Sequence, residues 1–319
     1  MERREFIKGS AIVGASVVAP IIATGNSGMY ASDSERKIRT ILTAGKTMVG
    51  TLPVLRAFAG DHNDYVSPYV FFDEFGPVNL SPKQQPLRVN AHPHAGVIPT
   101  TYFLEGNGHH KDSLNYDFQI GKGDFMMFSS GRGAIHMEET GTGLYENGGI
   151  YHGFQIWLNM PAKFKFTDPT TSVFKEEKIG NLSASNFSAK VILGELMGVK
   201  SGIEMLFPAF YFHLKLKADC RLDIPTNPEH NAFIYVISGS LEAEGRRAVQ
   251  TNQVALYERG ESIVRLYAKE ECEILMLGGQ PLNEVVYSYG PFVMNSEAEI
   301  IQCINDYNSG KMGNPSTVN

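Results

Sequence analysis

From Arg39 onward, short runs of β-branched and aromatic residues alternate with glycine, proline and polar turn signals. That pattern predicts strands of period two rather than helices of period 3.6. Residues 69–72 read as a strand, residues 73–77 as a turn, and the proline-bearing stretch 78–90 as a loop. Residues 100–104 predict a buried strand closed by Glu105-Gly106, and residues 116–120 another. Gly121 to Asp124 then turn into an apolar strand at 125–128, and Ser129 to Gly133 turn again to deliver residues 135–138. After a glycine-rich loop, residues 153–159 form a strand that stops at Pro161. Only the C-terminus reads as helix. Ser296 with Glu299 has capping-box spacing, Ile300, Ile304 and Tyr307 recur at helical intervals, and Gly310 ends the run.

The second half repeats the first. Tyr102-Phe103-Leu104-Glu105-Gly106 has a counterpart in Tyr235-Val236-Ile237-Ser238-Gly239, and each is followed by a polar hairpin, an apolar strand and a glycine turn. The predicted organisation is therefore all-β, with one barrel over residues 40–178, a second over 186–310, and a short C-terminal helix.

Two histidine pairs mark the first barrel. Residues two apart on a strand point to one face, so His92 and His94 can aim into a single cavity, and His136 and Glu138 can do so from another strand. An isolated H-x-H is common on strand surfaces. Two such pairs, each after a turn-rich segment and joined by a plausible meander, indicate a metal site made of His92, His94, His136 and Glu138. Parity selects Glu138 and turns Glu139 and Met137 away. His109 and His110 follow Gly106-Asn107-Gly108 and are expected at an exposed hairpin tip, in a loop that can border the cavity. His152 reads equally as a residue supporting or packing near the site and as one with no role there. Gln155 and Trp157 are expected to line the same barrel, His62 and His213 to be background, and His230 to be an ordinary loop or cap histidine. In the repeat register, Pro225 and Asn227 stand where His92 and His94 do, and Arg265 and Tyr267 where His136 and Glu138 do. The second barrel is thus expected to keep the scaffold and lack the ligands.

Three neutral imidazoles and a carboxylate suit Fe(II), Mn, Ni, Cu or Zn, and leave about two octahedral positions open for substrate and O2. Glu138 is also the basic group beside the metal, able to take a proton from an enol or phenol. Bulk composition narrows the partners. A chain of 319 residues with net charge −6 and no basic stripe is not built to track nucleic acid. Its three cysteines, Cys220, Cys272 and Cys303, are too dispersed for a disulfide framework.

The first 31 residues stand apart. Arg3-Arg4-Glu5-Phe6-Ile7-Lys8, then a weakly apolar Gly/Ala/Ser/Val run to Pro20, resembles a bacterial Tat signal. Cleavage is expected after Ala31. This reading implies the Tat export machinery as a partner and a periplasmic or otherwise exported protein, carried across already folded with its metal.

The remaining strings carry a family resemblance. His92-Pro93-His94-Ala95-Gly96, Thr101-Tyr102-Phe103-Leu104-Glu105-Gly106, Gly131-Arg132-Gly133-Ala134-Ile135-His136-Met137-Glu138, His152-Gly153-Phe154-Gln155-Ile156-Trp157-Leu158-Asn159 and Gly290-Pro291-Phe292-Val293-Met294-Asn295 resemble the pirins, in order and over nearly the whole mature chain. The resemblance implies a bicupin: two double-stranded β-helix (jelly-roll) barrels, with one Fe2+ in the N-terminal barrel held at His92, His94, His136 and Glu138. Pirins usually read His-Pro-His-Arg-Gly-Phe-Glu-Thr, whereas this chain has Ala95 for the arginine and Val97-Ile98-Pro99 before Thr100, changes expected beside the cavity. The family offers two functions. One is an iron-dependent dioxygenase that opens flavonols such as quercetin, with Glu138 as base. The other is a non-enzymatic, iron-dependent binding or redox-sensing protein. An export signal disfavours the second, because its known partners are intracellular. The expectation is therefore a monomeric oxidoreductase, a quercetin 2,3-dioxygenase-like enzyme using O2 and a small phenolic or enolic substrate.

Overall fold

The computed structural model describes residues 34–60, 63–245 and 247–318. The leader and its expected cleavage site lie outside the described residues, as does His62. The expected all-β architecture is present as two barrels, each made of a seven-stranded and a four-stranded antiparallel sheet. In the first, the large sheet runs Thr170–Phe174, Phe125–Ser129, Val97–Glu105, Gly149–Asn159, Tyr69–Leu80, Leu52–Ala59, Gly45–Val49. The small sheet facing it runs Arg88–His94, Ala134–Thr140, Asn107–Asp112, Asp117–Gly121.

Two segments expected as turn and loop are strand instead. Tyr69–Leu80 continues for 12 residues through the predicted turn. Asp73 and Glu74 are buried and paired there, and the turn signal Gly76 forms a bulge: its φ is +81°, and a Cβ would stand 2.0 Å from the Tyr151 carbonyl oxygen. Arg88–His94 likewise begins inside the predicted loop. The glycine-rich stretch before residue 149 contains a six-residue helix, Thr142–Asn147.

The chain ends are exchanged between barrels. Strand Ile38–Thr43 pairs with Gln253–Tyr257 in the large sheet of the second barrel, across the boundary expected at residue 40. At the other end, the hairpin Tyr287–Tyr289 and Phe292–Met294 returns to the first barrel, where Val293 N–H donates to the Ala95 carbonyl (3.1 Å). Helix Glu297–Asn308 follows. Ser296 Oγ accepts from Glu299 N–H, while the Glu299 carboxylate accepts from Asn295 N–H, one residue earlier than a capping box would have it. Ile300 and Cys303 bury against Ala95, Ile135, Met137 and Phe292.

The two large sheets meet through a shared aromatic core in which Phe58 and Tyr69 stand edge-on to Phe233, and Phe72 tilts against Tyr235. Two hydrogen-bonded chains cross this boundary. The Tyr102 hydroxyl meets His213 Nδ1 (3.0 Å), whose Nε2 bonds Glu273 (2.7 Å). His152 Nε2 bonds Glu74 (2.6 Å), which also accepts from the Tyr235 hydroxyl. His213 is therefore not background, and His152 serves the interface rather than the cavity.

The interior of the second barrel is filled by Leu222, Ile224, Val264, Leu266, Ile234 and Met276. The expected second scaffold is there, but the repeat register is off by one residue. Arg265 and Tyr267 face outward, Arg265 paired with Asp223 and Tyr267 stacked under Arg221, and Pro225 is exposed. Leu222, Ile224, Val264 and Leu266 hold the inward places. His230 sits in a turn, as expected, and its carbonyl accepts from buried Arg36. All three cysteines are buried and free.

Candidate metal centre and its cavity

The strand carrying His92 and His94 pairs antiparallel with the one carrying His136 and Glu138. His136 stands opposite His92, Ala134 opposite His94, and Glu138 opposite Val89. The count on the two strands differs by one, which marks a bulge at Asn90 and Ala91. The bulge places the Asn90 carbonyl 2.8 Å from His92 Nδ1, so that nitrogen donates and Nε2 carries the lone pair toward the site. His92 Nε2 lies 3.0 Å from His136 Nε2. Donor atoms of His92, His94 and His136 all fall within 4.8 Å of one another.

Glu138 joins from the other side of His136, and with it comes a residue that the sequence reading put elsewhere. His110, Glu138 and His136 form a second group at the same 4.8 Å spacing. His110 is buried, not exposed at a hairpin tip. Gly106, at φ +80°, is the corner where the chain leaves the large sheet for the small one, so residues 107–112 are a strand lying against Glu138. His110 Nε2 bonds Asp112 (3.0 Å), which also accepts from Thr171 Oγ1 and from the Leu114 and Tyr116 amides. That bracing leaves His110 Nδ1 with the lone pair. The His110-x-Asp112 spacing, two residues on one strand face, was the signal available for it. His109 instead meets Asp117 and Glu139 near the rim, where Glu139 also approaches Arg88.

Electrostatics keeps the imidazoles in ligand form. Burial, reinforced by neighbouring rings, holds His94 and His136 well below the ordinary histidine pKa, and burial lowers His92 as well, against the pull of the Asn90 carbonyl. Burial pushes Glu138 up, only partly offset by His110 and Thr101. The Glu138 oxygens are held one each, by Thr101 Oγ1 (3.0 Å) and Gln155 Nε2 (2.7 Å). Both His94 nitrogens, His110 Nδ1 and His136 Nδ1 are buried without a hydrogen-bond partner. Orphaned polar atoms are costly and uncommon in a dry interior. Converging neutral imidazoles with unused lone pairs beside a carboxylate are what a divalent transition metal requires, so the residues fit such an ion.

The site opens on a cavity of about 500 Å³, reached by His92, His94, Thr101, Glu138, Gln155 and Trp157. Its walls are mainly apolar, among them Val54, Phe71, Phe75, Phe103 and Tyr151, and the C-terminal hairpin contributes Ser288, Pro291 and Val293. Trp157 stacks on Phe71 (4.1 Å) and stands edge-on to His94 (4.7 Å). Gln155 and Trp157 thus line the barrel as expected. Ala95 and Ile98 do not: both are fully buried, Ala95 under the C-terminal helix cluster and Ile98 in the inter-barrel core. The alternation of the strand turns them away from the cavity.

Comparison with known proteins identifies the family and agrees with the fold. The Pirin family profile matches residues 51–158, and that of the Pirin C-terminal cupin domain residues 211–313. The chain belongs to the pirin family. A Vibrio cholerae relative provisionally named quercetin 2,3-dioxygenase is 33% identical, over 86% of this chain and 97% of its own. Human pirin is 30% identical over 78% of this chain and 83% of its own. The crystal structure of quercetin 2,3-dioxygenase from Acinetobacter baumannii superposes with a TM-score of 0.85 at 29% identity, covering 88% of this chain and all of that one. Both cupin barrels of this pirin are accounted for by these matches.

Proposed function

We propose that this pirin is a metal-dependent dioxygenase of flavonols or other small phenolic or enolic compounds. The observation that carries the proposal is the convergence of unpartnered imidazole nitrogens and Glu138 at the end of an apolar cavity large enough for such a molecule. The names of the Vibrio and Acinetobacter relatives support the same reading. His92, His94, His136 and Glu138 would hold the metal, Fe2+ before Mn, Ni, Cu or Zn. When bound, such an ion supplies Lewis acidity toward an enol or phenol oxygen and the one-electron chemistry that dioxygen needs. Glu138, made more basic by burial, accepts the substrate hydroxyl proton on a carboxylate oxygen while Thr101 and Gln155 fix its orientation. The apolar walls exclude bulk water from the reacting end.

The test is to purify the folded protein from the cytoplasm, measure its metal, and follow oxygen uptake across a panel of flavonols and catechols. Uptake with a flavonol supports the proposal; stoichiometric metal with no uptake on any of them favours a non-enzymatic metal-dependent binder. We further propose export through the Tat route, on the strength of Arg3, Arg4, Phe6, Lys8 and the apolar run that follows.

A further inference from the structure

Arg56, Asp73, Gln155 and Thr101 stand in one register row across four neighbouring strands. Arg56 is opposite Asp73, Asp73 opposite Gln155, and Gln155 opposite Thr101. All four side chains line the cavity. The Thr101–Gln155 end of the row grips Glu138. The far end is an ion pair: Arg56 Nε and Nη2 donate to the two Asp73 oxygens at 2.8 and 2.7 Å, and the guanidinium lies 4.7 Å over the Phe71 ring. Adjacent strands are about 4.8 Å apart, so two steps from Gln155 place Arg56 about 10 Å from the Glu138 end.

We propose that the Arg56–Asp73 pair is the specificity determinant for the end of the substrate remote from the metal, and that it selects a hydroxyl group there. This rests on the flavonol reading above and narrows it. The two bonds to Asp73 use Nε and Nη2, which leaves Nη1 outside the pairing on a side chain that lines the cavity, and each Asp73 oxygen, with one bond from Arg56, can accept another. A phenolic hydroxyl both donates and accepts and so suits the pair. A carboxylate would meet Asp73, and an ammonium would meet Arg56, each with like-charge repulsion. Phe71, Val54 and Phe75, which line the same cavity, offer a hydroxyl no partner. The substrate class is therefore a flat aromatic about as long as the row, chelating at one end and hydroxylated at the other.

Trp157, the only tryptophan of the chain, lines the same cavity and reports occupancy without turnover. Fluorescence quenching of the metal-loaded protein, without oxygen, gives dissociation constants for quercetin, kaempferol, galangin and 3-hydroxyflavone, which lose remote hydroxyls in steps. One step in this series should weaken binding about ten- to hundredfold, the range for a hydrogen bond to a charged group. In the double variant Arg56→Met/Asp73→Leu, which replaces the pair by apolar groups of similar size, that step should vanish while 3-hydroxyflavone binds as before. Arg56→Lys keeps a countercharge for Asp73 but loses the fork, and should shrink the step. A step that persists in the folded double variant, or a wild type that binds all four equally, overturns the assignment of the pair alone. Failure of all four to bind the wild type overturns the flavonol reading and this inference with it.

Discussion

Lys165 offers a prediction whose sign depends on pH. Its side chain is fully buried and donates to the Gly96 carbonyl (2.8 Å), Asn159 Oδ1 (2.5 Å) and the Val293 carbonyl (2.7 Å), tying the C-terminal hairpin to the first barrel. Gly96 keeps a second donor, the Met160 amide. In Lys165→Met, the Asn159 and Val293 oxygens lose this donor, a loss of about 1–3 kcal/mol each for a buried acceptor left unsatisfied. Against this stands the cost of burying the ammonium. Burial lowers Lys165 from 10.5 to about 8, and at about 1.4 kcal/mol per pKa unit that drop corresponds to about 3 kcal/mol. Near pH 7 the two effects largely offset, and the variant should be less stable by only about 1 kcal/mol. Between pH 8 and 10.5 the unfolded chain still holds a proton that the folded one has released, so wild-type stability gains relative to the variant as pH rises. The deficit should widen to about 3–4 kcal/mol near pH 10. Urea unfolding of both proteins, followed by Trp157 fluorescence at pH 7, 8.5 and 10, measures the difference, and titrations common to both cancel. A deficit that stays constant or narrows toward high pH would refute the reasoning.

Other predictions concern the metal and the leader. His136 belongs to both donor groups, so His136→Ala should abolish stoichiometric metal, whereas His110→Ala should weaken it by about 10–100-fold, as loss of an outer partner does; chelator competition separates the two. Because burial holds His94 and His136 below 6.5, protonation favours the unfolded, metal-free chain. Metal retention and apo-protein stability should both be full above about pH 6.5 and fall as the pH drops below it, readable by dialysis and urea titration. Replacing Arg3 and Arg4 by lysine should leave the protein in the cytoplasm; unchanged fractionation would remove the export proposal.

The shared face of His92 with His94, and of His136 with Glu138, was legible because strand parity is local: two residues apart means one face, whatever the tertiary fold. The structure brings His92, His94 and His136 together and sets Glu138 beside His136. His110 was misread because Gly106 looks like a hairpin tip in sequence, while in space it is the corner between two sheets. The Arg56–Asp73–Gln155–Thr101 row was not legible at all. Its members come from four strands, and their common level is set by bulges near Arg56 and Tyr151 that sequence does not announce. The second barrel was read as a repeat of the first, but in the wrong register. A shift of one residue turns every side chain to the other face, so the alternation of Leu222, Ile224, Val264 and Leu266 was the signal that the string alignment overlooked.

That apolar filling gives the second barrel a role in the first. A barrel packed with Leu, Ile and Val side chains, each worth about 1.5–3 kcal/mol when fully buried, is a rigid support, and the chain uses it as one. Strand Ile38–Thr43 is fastened to its large sheet just before the chain enters the first barrel. The chain leaving its last large-sheet strand, Cys272–Gly279, runs directly into the hairpin that places Ser288, Pro291 and Val293 on the cavity. The cavity wall is thus anchored at one end by Lys165 within the first barrel and at the other by the sheet of the second. The buried Tyr102–His213–Glu273 and His152–Glu74–Tyr235 chains hold the two barrels in a single orientation, since either one would leave charged or polar groups unpaired if the barrels separated. The second barrel is thus the frame that positions the cavity of the first.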